Sequence, residues 1–229
     1  NMITPSNWHH TWLNEGFATY TTALYYEYYL GKNIYHNFMN QYMSPAQGSY
    51  CGSIVGQSDT SFWDSFSDRV YYKGAIVLHM LRKVVGDSSF FKILKHYSSN
   101  TKFMYSNATT EDFMQECENY SGQKLDWFFN QWVYAKIDSI DRPKLSYKWN
   151  SKKYHNGYKL SFTIKQLSSD LYLFRLPFEI SVATSSDTSK YKIINDKALQ
   201  QYEFNLKAQP LNVELDKDNW VFKELIKED

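Results

Sequence analysis

The spacing of the apolar residues changes near Pro143, and this change constrains the fold more than any other feature of the sequence. Before Pro143 the apolar side chains recur at helical intervals, as in the stripe within Gln123 to Ala135. After Pro143 they alternate with polar residues, as expected of half-buried strands. The pattern predicts a multidomain α+β protein, with an all-helical part over residues 1–140 and a small antiparallel β-sandwich over residues 141–229.

Six alternating segments carry the prediction of β structure. They are Leu145 to Trp149, Leu160 to Ile164, Leu176 to Val182, Tyr191 to Ile193, Tyr202 to Leu206, and Leu211 to Leu215. Turn-forming residues separate them, including Asn156-Gly157 and the polar run Ser185 to Ser189. Short alternating strands at this spacing are typical of a sandwich of roughly 80 residues.

The first helix, predicted from Asn7 to Leu30, carries one carboxylate on a face that is otherwise mostly aromatic. Glu15 shares this face with Trp8 and Trp12. A carboxylate taken out of water is costly unless it is paired with a cation, hydrogen-bonded or bound to a metal. The spacing alone leaves open both an ordinary Arg, Lys or His partner and a metal ion.

Two further helices and a loop between them are predicted next. A second helix is expected from Asn33 to Met43, and Ser44 to Ser61 reads as a long loop that could form the rim of a cleft. The segment Ser67 to Arg82 is apolar around most of its circumference and is therefore expected to be a buried helix, with Gly74 allowing close packing. On composition alone Tyr71 within it would be one of 20 tyrosines and a core aromatic.

Two motifs resemble the gluzincin zinc aminopeptidases, the family of alanyl aminopeptidase and leukotriene hydrolase. One is Asn1-Met2-Ile3-Thr4-Pro5 followed by Trp8 and then Trp12-Leu13-Asn14-Glu15-Gly16-Phe17-Ala18; the other is Val70-Tyr71-Tyr72-Lys73-Gly74-Ala75. The resemblance implies that Glu15 is the third zinc ligand and that Tyr71 is the catalytic tyrosine that hydrogen-bonds the tetrahedral intermediate. It also implies that the helical part is the later half of a thermolysin-like catalytic domain. Most relatives carry Glu or Asp where this chain has Tyr72.

The resemblance further implies that this chain holds only part of a zinc site. In the family the other two ligands and the general-base Glu come from a His-Glu-x-x-His helix. None of the six histidines of this chain lies in such a motif: His9, His10, His36, His79, His96 and His155. Family spacing puts eighteen residues between the second His and the ligand Glu, and fourteen precede Glu15, so we expect the motif just upstream of Asn1. Zinc is expected in the intact parent, whereas the segment alone is expected to bind none at this site and to be inactive.

Composition excludes two classes of partner. The net charge is +1, with 25 basic and 24 acidic residues mixed along the chain, so no basic surface for nucleic acid is expected. No apolar run reaches the roughly 18 residues that a membrane span needs. Cys51 and Cys117 are compatible with free thiols or with one disulfide. The compartment is open; the glycosylation triplets at Asn107 and Asn119 lean towards a periplasmic or secreted parent.

We therefore expect part of a zinc-dependent aminopeptidase that hydrolyses N-terminal residues from peptides. Its partners would be a peptide substrate and the upstream part of the same protein. The alternative is a non-catalytic scaffold that binds a peptide or a carbohydrate through aromatic residues of the β-sandwich. A relative that uses the same zinc for another hydrolysis is a third possibility, and residue preference, exopeptidase character and oligomeric state stay open.

Overall fold

The computed structural model describes residues 2–44, 50–56, 66–135, 142–168, 170 and 172–228. By its internal contacts the chain divides into two compact units, Asn1–Asp141 and Arg142–Asp229. Parts of the predicted loop Ser44–Ser61 and of the stretch between Ala135 and Pro143 lie outside the described residues. No helix among the described residues is both long and apolar enough to cross a membrane.

The first unit is built mainly from α-helices. They are α1 (Trp12–Leu30), α2 (Lys32–Tyr42), α3 (Gly74–Val85), α4 (Asp87–Ser99), α5 (Thr110–Ser121) and α6 (Asp126–Phe129). Gly31 and Gly86 end α1 and α3 with positive φ angles of 89° and 83°, a conformation that glycine adopts at little cost. Thr109 and Asp112 form a capping box at the start of α5.

Turns of non-α geometry replace parts of three predicted helices. Asn7 caps a short 3-10 turn, Trp8–His10, and the α-helix begins only at Trp12. The residues Arg69–Lys73 and Asn130–Tyr134 form π-helical turns within the segments that the periodicity predicted as continuous helices. A π turn closes its hydrogen bond over one more residue than an α turn, and apolar spacing over only five residues does not resolve that difference. Such turns are frequently found at functional sites.

The prediction of an all-helical first part was wrong in one respect. Strands β1 (Ile3–Pro5) and β2 (Ser106–Ala108) form a small parallel pair with Ile3 opposite Ser106. At three residues each they are too short to show an alternating pattern, and their pairing links segments distant in the sequence. The pair fixes the chain that leads into α1.

Two buried polar networks hold α1 against its neighbours. Arg82 of α3 is only 2% exposed, and its guanidinium donates to both carboxylate oxygens of Glu27 at 2.6 and 3.0 Å and of Asp87 at 2.9 and 3.0 Å. In the second network the Tyr35 hydroxyl lies 2.9 Å from the Tyr20 hydroxyl and 2.6 Å from Nδ1 of His79. Since their polar groups are satisfied, these networks add directional bonds to an aromatic core.

The described residues of the second unit form strands that pair into two sheets. They are β3 (Lys144–Tyr154), β4 (Gly157–Gln166), β5 (Leu176–Ala183), β6 (Thr188–Asn195), β7 (Leu199–Leu206), β8 (Asn212–Leu215) and β9 (Glu224–Lys227). One sheet has the order β7-β4-β3-β9 and the other β6-β5-β8. The predicted strictly antiparallel arrangement needs a correction, because β9 pairs in parallel with β3. This strand has four residues and hardly any alternation, so the sequence pattern missed it.

The two sheets contact each other through side chains. The rings of Tyr191 in β6 and Phe204 in β7 lie 4.3 Å apart, and the Tyr202 hydroxyl donates to the carbonyl of Ile194 at 2.7 Å. Gln166 donates to the Asn195 side chain at 2.9 Å. Alternate residues of β4 are fully buried, as the pattern predicted: Leu160, Phe162 and Ile164. Cys51 and Cys117, which lie in the first unit, are both free thiols.

Candidate functional site

A pair of glycines brings the two predicted site residues into one place. A Cβ atom on Gly16 would lie 2.9 Å from Cα of Gly74 and 3.2 Å from the Val70 carbonyl oxygen. These are backbone atoms that cannot rotate away, so α1 and the start of α3 approach as closely as two helices can. Glu15 and Tyr71 flank this contact in the sequence, and the close approach places their side chains together.

The Glu15 carboxylate lies close enough to the Tyr71 hydroxyl to influence its pKa. Burial raises the pKa of Tyr71, and the negative charge of Glu15 raises it further. At neutral pH the phenol is therefore protonated and is a hydrogen-bond donor. Both side chains are half-buried, so the pair is partly exposed to solvent.

Glu15 has no Arg, Lys or His partner among the residues that the structure describes; its polar side-chain neighbour there is Tyr71. This finding disfavours the ordinary ion pair that the sequence left open. A half-buried carboxylate without a cationic neighbour leaves its oxygens available to another ligand. Carboxylate oxygen is a normal zinc ligand, and the donor fits that role.

The described residues around Glu15 do not form a complete metal site. Among the described residues no three His, Cys, Asp or Glu side chains gather closely enough to hold a metal ion. The two histidines nearest to Glu15 in the sequence make other contacts. Nδ1 of His9 lies 2.6 Å from the Gly56 carbonyl oxygen, while Nδ1 of His10 accepts the backbone N–H of Thr110 at 3.2 Å.

Thr110 also fixes the beginning of α1. Its hydroxyl oxygen accepts the indole N–H of Trp12 at 3.0 Å and lies 2.9 Å from Nδ1 of His10. Burial lowers the pKa of His10, which favours the neutral imidazole that accepts these bonds. The aromatic residues around Glu15 therefore serve to position its helix.

Tyr71 lies at the centre of the π turn Arg69–Lys73, and the opposite side of that turn is held by the segment Tyr50–Gly56. Lys73 is 7% exposed and donates to the carbonyls of Tyr50 and Gly52 at 3.1 and 2.5 Å. Arg69 donates to the Cys51 carbonyl at 3.2 Å. In the sequence Lys73 was noted only as part of a motif. The presence of two cations four positions apart, on either side of Tyr71, was the signal that could have indicated a shared role for them.

Tyr72, which follows Tyr71 in the π turn, packs against other aromatic rings. Its ring centroid lies 5.3 Å from that of Tyr42 and 6.5 Å from that of Tyr50. A groove of about 400 Å³ also lies beside α1, lined in part by Leu13, Phe17 and Tyr97. Neither Glu15 nor Tyr71 lines it, so this groove does not by itself mark the site.

Comparison with known proteins identifies the class to which this fold and site belong. The Peptidase family M1 domain matches residues 1–132, more than half of the chain. The chain therefore belongs to peptidase family M1, as the two motifs predicted.

The relatives are aminopeptidases. Aminopeptidase M1-A of Oryza sativa subsp. japonica is 33% identical over 139 residues, which cover 58% of this chain and 16% of that protein. Probable aminopeptidase 2 of Sulfurisphaera tokodaii is 25% identical over 218 residues, which cover 86% of this chain and 27% of that protein. A crystal structure of Legionella pneumophila aminopeptidase A in complex with aspartic acid superimposes with a TM-score of 0.74 at 17% identity. It covers 100% of this chain and 25% of the other, and shows a shared fold. The chain thus spans about a quarter or less of the length of these relatives.

Proposed function

We propose that this chain is part of a zinc-dependent aminopeptidase that removes N-terminal residues from peptides. The observation that carries the proposal is that Glu15 lies close enough to Tyr71 to raise its pKa, without a cationic partner for Glu15 among the described residues. The kinship with aminopeptidases supports the reaction class. The complementary ligands, two histidines, and the general-base Glu would come from the upstream part of the same protein.

Each residue of the pair has one task in this proposal. Glu15 would hold zinc as its carboxylate ligand, and zinc in such a site polarises the scissile carbonyl and lowers the pKa of a bound water. Tyr71 would donate its hydroxyl proton in a hydrogen bond to the oxygen on which negative charge develops. Its raised pKa keeps that proton in place at neutral pH. The segment alone, with one ligand, would be inactive.

We also propose that the first unit is the helical later part of a thermolysin-like catalytic domain and that the second is a β-sandwich. The side-chain contacts between its two sheets support the sandwich. The boundary at Asp141 and Arg142 agrees with the change of period near Pro143.

The test uses the parent chain extended upstream of Asn1, with zinc stoichiometry and hydrolysis of aminoacyl anilides as readouts. Glu15→Gln should lower the zinc content. Tyr71→Phe should retain zinc and lose about 100- to 1,000-fold in kcat, the usual effect of removing one oxyanion donor. Tyr72→Phe is the matched control, because it also removes one hydroxyl but from a ring that packs against Tyr42 and Tyr50.

Two results would contradict the proposal. One is an extended parent that binds no zinc. The other is equal activity of the Tyr71→Phe and Tyr72→Phe variants. The first would favour the non-catalytic scaffold, and binding of peptides or carbohydrates to the second unit should then be measured. The second would remove the role that the proposal gives to Tyr71.

A further inference from the structure

Residues Tyr50–Gly56 form a strap in the first unit that is hydrogen-bonded to its neighbours at its beginning, middle and end. At its beginning the strap accepts hydrogen bonds from Lys73 and Arg69. In its middle the Ser53 hydroxyl and the Ile54 N–H both donate to the Val133 carbonyl, at 2.8 and 3.0 Å. At its end the Gly56 N–H donates to the carbonyl of His9 at 3.0 Å. The strap is thereby anchored to the second π turn and to the chain entering α1.

The cations that hold the strap lie on the side of the π turn opposite to Tyr71. Residues two positions apart in a helix point in nearly opposite directions, and residues four apart share a face. Arg69 and Lys73 therefore face the strap, while Tyr71 between them faces Glu15. Gly52 adopts a φ of 82°, so the strap turns where its carbonyl accepts the Lys73 ammonium.

Lys73 is buried, so losing its carbonyl partners would leave a buried charge short of hydrogen bonds. Its bonds therefore fix the π turn to the strap more firmly than exposed contacts could. A π turn is an uncommon conformation that persists only where its surroundings hold it. The strap and the two cations are such surroundings. By holding one face of the π turn, they also determine the direction of the opposite face, which carries Tyr71.

We infer that Lys73 is a positioning residue, which holds the π turn against the strap and so directs the Tyr71 hydroxyl to the reacting oxygen. This inference rests on the proposed function, because it needs Tyr71 to act in the reaction. Lys73 touches neither substrate nor metal in this scheme; it acts through Tyr71. Its role predicts an effect on kcat rather than on KM.

The experiment is a double-mutant cycle in the extended parent. Lys73→Met should lower kcat by about 10- to 100-fold with KM and zinc content nearly unchanged, the usual size for a residue that orients another. In the Tyr71→Phe background the same substitution should change kcat by less than about threefold, because the group it orients is gone. Lys73→Arg, which keeps a cation, should recover most of the activity.

A second readout does not depend on activity. Lys73→Met should accelerate hydrogen exchange at the amides of Ile54 and Gly56, whose bonds depend on the strap's position. If Lys73→Met fails to fold, Arg69→Met, which removes a single contact to the strap, should give the same non-additive pattern at smaller size.

The outcomes separate the two hypotheses. An equal loss from Lys73→Met with and without Tyr71 would overturn the positioning role and leave the proposed function standing. Unchanged kcat and unchanged exchange in Lys73→Met would do the same. Full activity of Tyr71→Phe would overturn the proposed function, and the positioning role with it.

Discussion

Replacing Gly16 with alanine should destabilise the first unit, although alanine is the better helix former. The new Cβ would meet three backbone atoms, Cα of Gly74 at 2.9 Å, its carbonyl carbon at 3.0 Å and the Val70 carbonyl oxygen at 3.2 Å. Real Cβ atoms do not approach backbone so closely, and a backbone atom cannot change rotamer to give way. The substitution therefore has to push α1 away from the turn that carries Tyr71.

The magnitude follows from two opposing effects. In a helix interior, alanine is more favourable than glycine by about 1 kcal/mol. Overpacking a close contact costs about 1 to 3 kcal/mol, and the upper part of that range applies here because the neighbours are backbone on the facing helix. We expect the free energy of unfolding to fall by about 1 to 2 kcal/mol.

Equilibrium urea unfolding of the parent chain, followed by tryptophan fluorescence, measures this change. The matched control is Thr22 in the same helix, which is exposed. There the Thr22→Ala variant should be about 1 kcal/mol more stable than Thr22→Gly, since only helix propensity differs. If Gly16→Ala were as stable as the parent, or more so, the packing argument for the Glu15 and Tyr71 pair would be refuted.

Three further predictions concern the interactions around this contact. Arg82→Met should lower the free energy of unfolding by about 3 kcal/mol in urea unfolding, the lower end for a buried pair, because it leaves the half-buried Glu27 carboxylate without its partner. Lys102→Met, which breaks an exposed pair, should cost less than about 1 kcal/mol. The hydrogen bond from Arg82 holds the pKa of Asp87 below its ordinary 3.8. The unfolded chain therefore binds more protons, and the stabilisation is present above the ordinary pKa and lost as pH falls through the lower folded value. Urea unfolding of Asp87→Asn between pH 2 and 6 should show a flatter acid side than the parent. Thr109→Ala should cost about 1 kcal/mol in the same assay, because it removes the side-chain cap of α5.

For each of these predictions one result would contradict the reasoning. Equal losses from Arg82→Met and Lys102→Met would show that the buried network adds no more than a surface pair. An Asp87→Asn profile parallel to that of the parent would remove the linkage to Arg82. A Thr109→Ala variant as stable as the parent would show that the capping box makes no net contribution.

The strands and helices were largely predictable because their periodicity reflects burial on one face. Alternation at Leu160, Phe162 and Ile164 corresponds to full burial of all three side chains. The parts that could not be predicted lack such a period. The strand pair β1 and β2 is too short, and the parallel pairing of β9 with β3 depends on the return path of the chain.

The candidate site came from the sequence in a different way. Recognition of two motifs named Glu15 and Tyr71, and the structure places Glu15 close enough to raise the pKa of Tyr71, whereas their roles in zinc binding and catalysis stay predictions. In the described part of the chain Glu15 has no cationic partner. Residue spacing could not predict this, because it depends on which side chains the fold brings near Glu15. Nor did the pattern reveal the strap, since the carbonyls of Tyr50 and Gly52 have no sequence signature.

The distance between Glu15 and Tyr71 depends on how closely the backbone of α1 approaches the start of α3. Gly16 follows Glu15 directly, and Gly74 stands three positions after Tyr71. The contact between the two glycines therefore lies next to both site residues. Close backbone contact fixes the distance between the helices, but it leaves the turn free to rotate about that contact. The bonds from Arg69 and Lys73 to the strap restrain this rotation. The glycines therefore determine how near Tyr71 lies to Glu15, and the strap determines where its hydroxyl points.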